Sequence, residues 1–359
     1  MSVSPTGTEH GFLALIWLGS QTLACISVVM ATALIVRHAI NERRAARRKA
    51  RKAATAATMQ AMLTAMRDAR AVTPMDIDLS IAVEIAIEWL RNLSGKQAED
   101  ITTMLRALGC EAYLSRALPK AGKGEKILLL IYCSHDTTAP TLQHLVDHCT
   151  DPDPDIQIVC LRGLAKRGAC DALAEALKRL DLSSMKSTLV LADIFMKLGD
   201  EGNAFLIDLM GDAHASTEIR TAAIMALGHN RTLDAVSPLI ALCRMPDIHG
   251  DIRAQALNAL GYIGDHRAET VILEGLDDAE IAMRVNAVRA ASRLKCHSFI
   301  PKLAVLLDDP AWWVRFRAAQ ALNKIEGVGG VILGEVLQGQ DRKAKLVQNV
   351  LDESESGAA

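Results

Sequence analysis

The chain has 359 residues, half of them apolar and only 3% aromatic, with a formal charge of −2. So few aromatic side chains among abundant Ala and Leu exclude a sheet-rich fold, because strands draw on aromatic and β-branched residues. The small net charge conceals a basic block between residues 37 and 70, where ten Lys or Arg stand against two acidic groups; such a contrast gives that block a role of its own.

The first predicted elements are a short tail over 1–11 and a transmembrane helix over 12–36. From Phe12 to Val36 there are twenty-five uncharged residues, more than the roughly 20 that a bilayer-spanning helix needs. A cleavable signal peptide would carry positive charge before a shorter apolar run. Arg37, Arg43, Arg44, Arg47, Arg48, Lys49, Arg51 and Lys52 follow directly. Basic residues stay on the cytoplasmic side, which predicts a single-pass protein of a bacterial inner membrane with its N-terminus outside. The same eight side chains are candidates for contact with anionic lipid headgroups. The absence of interleaved aromatics and the place beside the span argue against nucleic acid. A basic juxtamembrane helix and linker over 37–74 then ends at Val72-Thr73-Pro74.

From 75 to 350 the pattern is a helical array, followed by a disordered acidic tail over 351–359. An apolar set at Ile81, Val83, Ile85, Ala86, Trp89 and Leu90 reads as its first buried helix, and Leu105–Leu108, Tyr113–Leu118 and Ile127–Tyr132 continue the series. The loop Pro119-Lys120-Ala121-Gly122-Lys123-Gly124 lacks the Gly-Lys-Ser/Thr ending of a phosphate-binding loop. Farther on, one submotif recurs: Ile219-Arg220, Ile252-Arg253, Met283-Arg284 and Val314-Arg315, each followed by Ala at helical spacing. The Arg residues lie 33, 31 and 31 positions apart, and weaker copies extend back to Lys186, Gln157 and Lys126. A repeat of this length made of two helical patterns predicts an all-α solenoid. Asp151, Asp247, Asp278 and Asp309 each stand six residues before the Arg or its equivalent, where an Asp caps the second helix of its unit.

Asp309-Pro310 followed by Val314-Arg315, Ala318-Ala319 and Ala321-Leu322, with its counterparts, resembles HEAT repeats of the short bacterial type also found in phycobilin lyase-like proteins. The resemblance covers roughly 80–350 and implies a right-handed solenoid. It further implies that turn Asp and second-helix Arg form a structural ladder, here Asp247, Arg253, Asp278, Arg284, Asp309 and Arg315, with Arg220 in the same series. On activity it is nearly silent.

Helical spacing sorts the second helices into faces. Val314, Ala318 and Ala321–Leu322 make the buried stripe, while Trp313, Arg317 and Gln320 share another face. Neighbouring units place Asn286, Arg289, Gln255, Asn258 and, farther back, Arg162 on that face, with Ala222 and Met225 interrupting it. In such solenoids this side is concave, so these residues are the candidate partner-binding set, with a solvated polar surface as the alternative reading. Trp313 favours an interface, because Trp anchors are common there; Trp312 pairs with Phe316 and is expected to pack between repeats.

Signals for chemistry are weak. His144 and His148, with Cys133, Cys149 and His135 nearby, only loosely resemble a zinc spacing. The His-Glu dipeptides of HEAT-like metal hydroxylases are missing, and no nucleophile–base grouping stands out. Eight cysteines without short paired spacings suit a reducing compartment rather than a disulfide framework. The expected function is therefore a membrane-anchored, non-catalytic scaffold without a cofactor, binding a protein partner, by analogy in a bacterial envelope or polysaccharide-synthesis complex. The alternative is a membrane-tethered lyase-like or small-ligand-binding protein.

Overall fold

A computed structural model describes residues 7–68, 77–180, 188–325, 327–339 and 342–356, and in the first helix the side chains of Trp17, Gln21, Ser27 and Val29–Met66. Every regular element among them is helical. The chain divides into two compact units, 1–120 and 121–359.

In the first unit, α1 (Gly7–Arg67) is followed by α2 (Leu79–Leu90), α3 (Lys96–Ala107) and α4 (Cys110–Ala117). Asp78 caps α2 by accepting from the Ser80 N–H at 3.1 Å. Ile81, Val83, Ile85 and Ala86 are buried as their spacing predicts, and α1 contributes Met59 and Met62 to the same core. Two members of the basic block are bound within this unit: Arg48 reaches Glu84 at 2.9 Å and Lys52 reaches it at 3.1 Å. The other six, Arg37, Arg43, Arg44, Arg47, Lys49 and Arg51, are exposed.

The expected membrane span, and with it the inner-membrane location, is overturned: among the described residues no helix is long and apolar enough to cross a membrane. Most side chains between Phe12 and Val28 lie outside the described residues. The helix also runs through the anticipated boundaries at 11 and 36 without a break.

In the second unit the helices alternate between two layers. One layer holds α6 (Ala139–His148), α8 (Cys170–Arg179), α10 (Asn203–Gly211), α12 (Val236–Arg244), α14 (Glu269–Leu276), α16 (Ile300–Val305) and α18 (Val328–Leu337). The other holds α5 (Lys123–Cys133), α7 (Pro154–Lys166), α9 (Thr188–Met196), α11 (Thr217–His229), α13 (Gly250–Ile263), α15 (Ile281–Leu294), α17 (Trp312–Lys324) and α19 (Arg342–Ser356). Successive members of this second layer pack on one another from α5 to α19. The stripe predicted from the sequence is the interface: Ile252, Ala256, Ala259 and Leu260, and Val314, Ala318, Ala321 and Leu322, are at most 1% exposed. Gly261 permits the closest approach, because a Cβ there would lie 2.5 Å from the Ala290 Cα. The C-terminal segment from 351 was expected to be disordered; instead α19 continues to Ser356.

The units keep register through a backbone marker the sequence reading did not contain. Gly168, Gly199, Arg231, Gly264 and Lys295 all have φ between 54° and 79° and occupy equivalent places, just after or near the end of a second helix. Arg231 and Lys295 fill a left-handed position that favours glycine.

The ladder is present and its spacing is 25 residues. Arg253 donates to the Asp278 carboxylate at 2.9 Å, and Arg284 grips Asp309 with two bonds of 2.8 and 3.1 Å. Lys126 does the same to Asp151 at 2.9 Å. At three positions of the series the side chain also bonds its own turn six residues back, Gln157 to the Asp151 carbonyl, Arg284 to that of Asp278 and Arg315 to that of Asp309, whereas Arg253 donates to the Cys243 carbonyl. The Asp is therefore not itself the helix cap. It stands two residues before the cap and accepts the N–H of Glu280 or Ala311, while its other oxygen takes the preceding unit's Arg. Asp247 breaks the series, contrary to expectation. The unit is two residues longer, which sets Asp247 27 positions after Arg220 and leaves it exposed. Arg220, buried, donates to the Met210 carbonyl at 2.9 Å instead, and His249 takes over capping of α13. Lys186, proposed as a copy of the basic position, lies outside the described residues.

Three outcomes are expected, each read as an unfolding midpoint in urea with hydrogen exchange at α15–α17. Asp309→Ala strands the Arg284 guanidinium and is expected to destabilise by about 3 kcal/mol, whereas Asp247→Ala stays within about 0.5 kcal/mol. Lys295→Gly relieves the left-handed strain and is expected to stabilise by about 1 kcal/mol.

Candidate partner-binding face

The polar positions of α13, α15 and α17 fall into three rows, each repeating at 31 residues. Gln255, Asn286 and Arg317 form the first row, Asn258, Arg289 and Gln320 the second, so the structure brings these sequence-predicted residues together on one layer. The third row, Tyr262, Arg293 and Lys324, was missed by the sequence reading although the same period generates it.

Bonds across the rows orient the groups. Asn258 is buried and accepts from the Arg293 guanidinium at 2.9 Å, and that guanidinium lies 3.7 Å above the centre of the Tyr262 ring. Arg317 donates to the Gln320 side-chain carbonyl at 2.8 Å, while Asn286 donates to the Ala282 carbonyl of its own helix. Asn258 thus acts as a support for Arg293 rather than as a contact surface. Gln255 is half-buried and Arg289 exposed.

Arg289, Arg293, Arg317 and Lys324 converge on a cleft of about 150 Å³ completed by Val288, Ser292 and Gln320. Burial pulls the Arg293 guanidinium below its ordinary value, Arg289 and Arg317 push it the same way, and Tyr262 opposes them. A cation in that position gains from any anion that enters, since its own neighbours repel it. Arg289 and Lys324 have no acidic partner among the described residues.

Trp313, one turn before Arg317, is 59% exposed. Its ring meets Trp312 edge-on at 4.6 Å. Trp312 stacks on Phe316 at 5.0 Å as paired in the sequence, but it is 46% exposed and does not pack between repeats. Arg162 stands apart from the set: it is bound to Asp193 at 2.8 Å.

The histidines considered for zinc do not assemble. His148 bonds the His144 carbonyl at 2.8 Å, and His135 lies against the Lys166 ammonium at 2.9 Å. Burial, with Lys166 adding to it, lowers His135 to about 4. Cys133, Cys149 and Cys160 are buried thiols.

A family model described as HEAT repeats matches residues 203–280 and 268–356. Residues 203–356 are HEAT repeats. That span contains the three rows, the cleft and two of the Arg–Asp pairs. Among solved structures, the complex of CpcE and CpcF of phycocyanin lyase from Nostoc sp. PCC7120 is 19% identical, covers 58% of this chain and 74% of that chain, and superposes with a TM-score of 0.33. A computationally designed armadillo repeat protein for modular peptide recognition is 19% identical over 59% of this chain and 98% of that one, with a TM-score of 0.32. Human deoxyhypusine hydroxylase is 18% identical over 77% of this chain and 97% of that chain, with a TM-score of 0.29. No curated protein matches the sequence.

The stacked Tyr262–Arg293 pair can be tested on its own. Tyr262→Leu removes the ring face beneath the cation and is expected to lower stability by about 1 kcal/mol, measured by the urea midpoint; an unchanged midpoint would mean that the contact holds nothing.

Proposed function

We propose that the HEAT array is a non-catalytic protein-binding scaffold and that its second-helix layer captures an acidic segment of a partner protein. The observation that carries the reading is the cleft lined by Arg289, Arg293, Arg317 and Lys324. Four cations gathered in one place repel one another, and HEAT packing does not require them, since the buried stripe and the ladder use other residues. A partner carboxylate offsets that repulsion and takes the bidentate geometry that guanidinium groups favour.

Aromatic and polar neighbours support the same reading. Trp313 stands one turn from Arg317 on the same helix face, and an exposed Trp beside a cationic cleft supplies apolar area for an anchor. Gln255 and Asn286 extend the surface along the layer with groups that both donate and accept hydrogen bonds. Electrostatic capture of this kind favours fast association and weakens as salt rises.

The test uses the purified full-length chain and a fluorescein-labelled Glu-rich peptide, with a Lys-rich peptide of equal length as reference. The Glu-rich peptide is expected to bind, and more weakly as salt rises. The Arg289→Glu, Arg317→Glu double variant should weaken it at least about tenfold, and Trp313→Ala by a smaller factor. Equal binding of the two peptides, or undiminished binding by the double variant, would contradict the proposal.

A further inference from the structure

A different set of side chains gathers at the entry to the other helical layer. His266 opens the short turn that leads into α14, Glu269 is the first residue of α14, and Cys296 sits at the equivalent entry one unit later. One ligand atom from each lies within 4.8 Å of the other two. The Cys296 Sγ is 3.4 Å from the His266 Nδ1.

Equivalent positions show what is unusual. The place of Cys296 is filled by Asp265 one unit earlier and by Thr232 before that. Asp265 caps its turn by accepting from the Arg267 N–H at 2.8 Å. Thr232 reaches back to the preceding unit and donates to the Asn203 side chain at 3.0 Å. Cys296 makes no cap bond; it too reaches back, but with a thiol, and meets an imidazole and a carboxylate. Cysteine is a poor capping residue, so capping does not account for it.

We infer that His266, Glu269 and Cys296 form a binding site for a zinc ion that bridges two consecutive HEAT units. Sulfur, imidazole nitrogen and carboxylate oxygen are zinc donors, with bond lengths of roughly 2.3, 2.0–2.1 and 2.0–2.2 Å, which place the sulfur and nitrogen of a tetrahedral site about 3.5 Å apart. The observed Sγ–Nδ1 separation meets that requirement. Glu269 is held by a hydrogen bond from the Ser298 hydroxyl, an outer contact of the kind that fixes a ligating carboxylate. Arg267, adjacent to His266, is turned away onto Asp265 at 2.8 Å. His266 is exposed, while Glu269 and Cys296 are half-buried, so the ion enters from solvent and its fourth ligand is water. Binding releases the Cys296 thiol proton to solvent, and the thiolate, the neutral imidazole and the carboxylate then hold the ion. Soft thiolate with imidazole selects zinc over magnesium or calcium.

The experiment is a titration of metal-stripped, reduced full-length protein with Co(II) alone, followed by Zn(II). One equivalent of Co(II) is expected to produce a thiolate-to-cobalt charge-transfer band, and Zn(II) is expected to abolish it. Cys296→Ser should remove the band and weaken Zn(II) binding at least about tenfold, and His266→Ala should weaken it comparably. Cys170→Ser, at a half-buried thiol outside the set, should leave both unchanged. Absence of stoichiometric binding by the wild-type chain overturns the inference. So does a Cys296→Ser or His266→Ala variant that binds Zn(II) as tightly as wild type.

Discussion

The second unit depends on one contact made repeatedly: Lys126, Arg253 and Arg284, each in a second helix, hold the turn Asp of the following unit. The Arg284–Asp309 pair shows why it is structural. Arg284 bonds two carbonyls of its own turn as well as both oxygens of Asp309, so the guanidinium is satisfied although nearly buried. A cation in that setting would be costly without its partners. Its five donors in a planar fork suit it to tie one turn to the next. Since the Asp carboxylate also receives the N–H of the residue that caps the following helix, Glu280 or Ala311, the contact fixes both the stacking of these units and the start of their second helices.

The positions proposed for binding are those the ladder does not use. With the buried stripe on one side and the ladder at the helix start, the remaining face of α13, α15 and α17 is free to carry any polar side chain. Here it carries a cluster of like charge. The entry turns of the other layer have a similar freedom, and there the chain places His266, Glu269 and Cys296 one unit apart. Both sites are assembled across units, so neither exists in an isolated repeat.

The repeat, the buried stripe and most of the ladder were legible because each follows one helical period and one repeat length. Gln255, Arg289 and Arg317 fell on a common layer for the same reason. What the sequence concealed were relations between units. The 25-residue step that joins Arg253 to Asp278 differs from the 31-residue repeat, and Asp247 stood at the expected distance from its own Arg while missing the preceding one by two residues. The left-handed register marker was hidden because Arg231 and Lys295 stand where glycine would have advertised it. Row 262, 293 and 324 was available from the period but changes residue type from Tyr to Arg to Lys. The expected span over 12–36 rested on a long uncharged run followed by a basic block, and no helix among the described residues is long and apolar enough to support it.

Through the ladder, Arg and Asp of consecutive units are energetically coupled. A double-mutant cycle on Arg284→Ala and Asp309→Ala measures that coupling directly. An interaction energy of about 2 kcal/mol is expected, within the range found for residues sharing a hydrogen-bonded network. Additive effects of the two substitutions, with a coupling near zero, would contradict it.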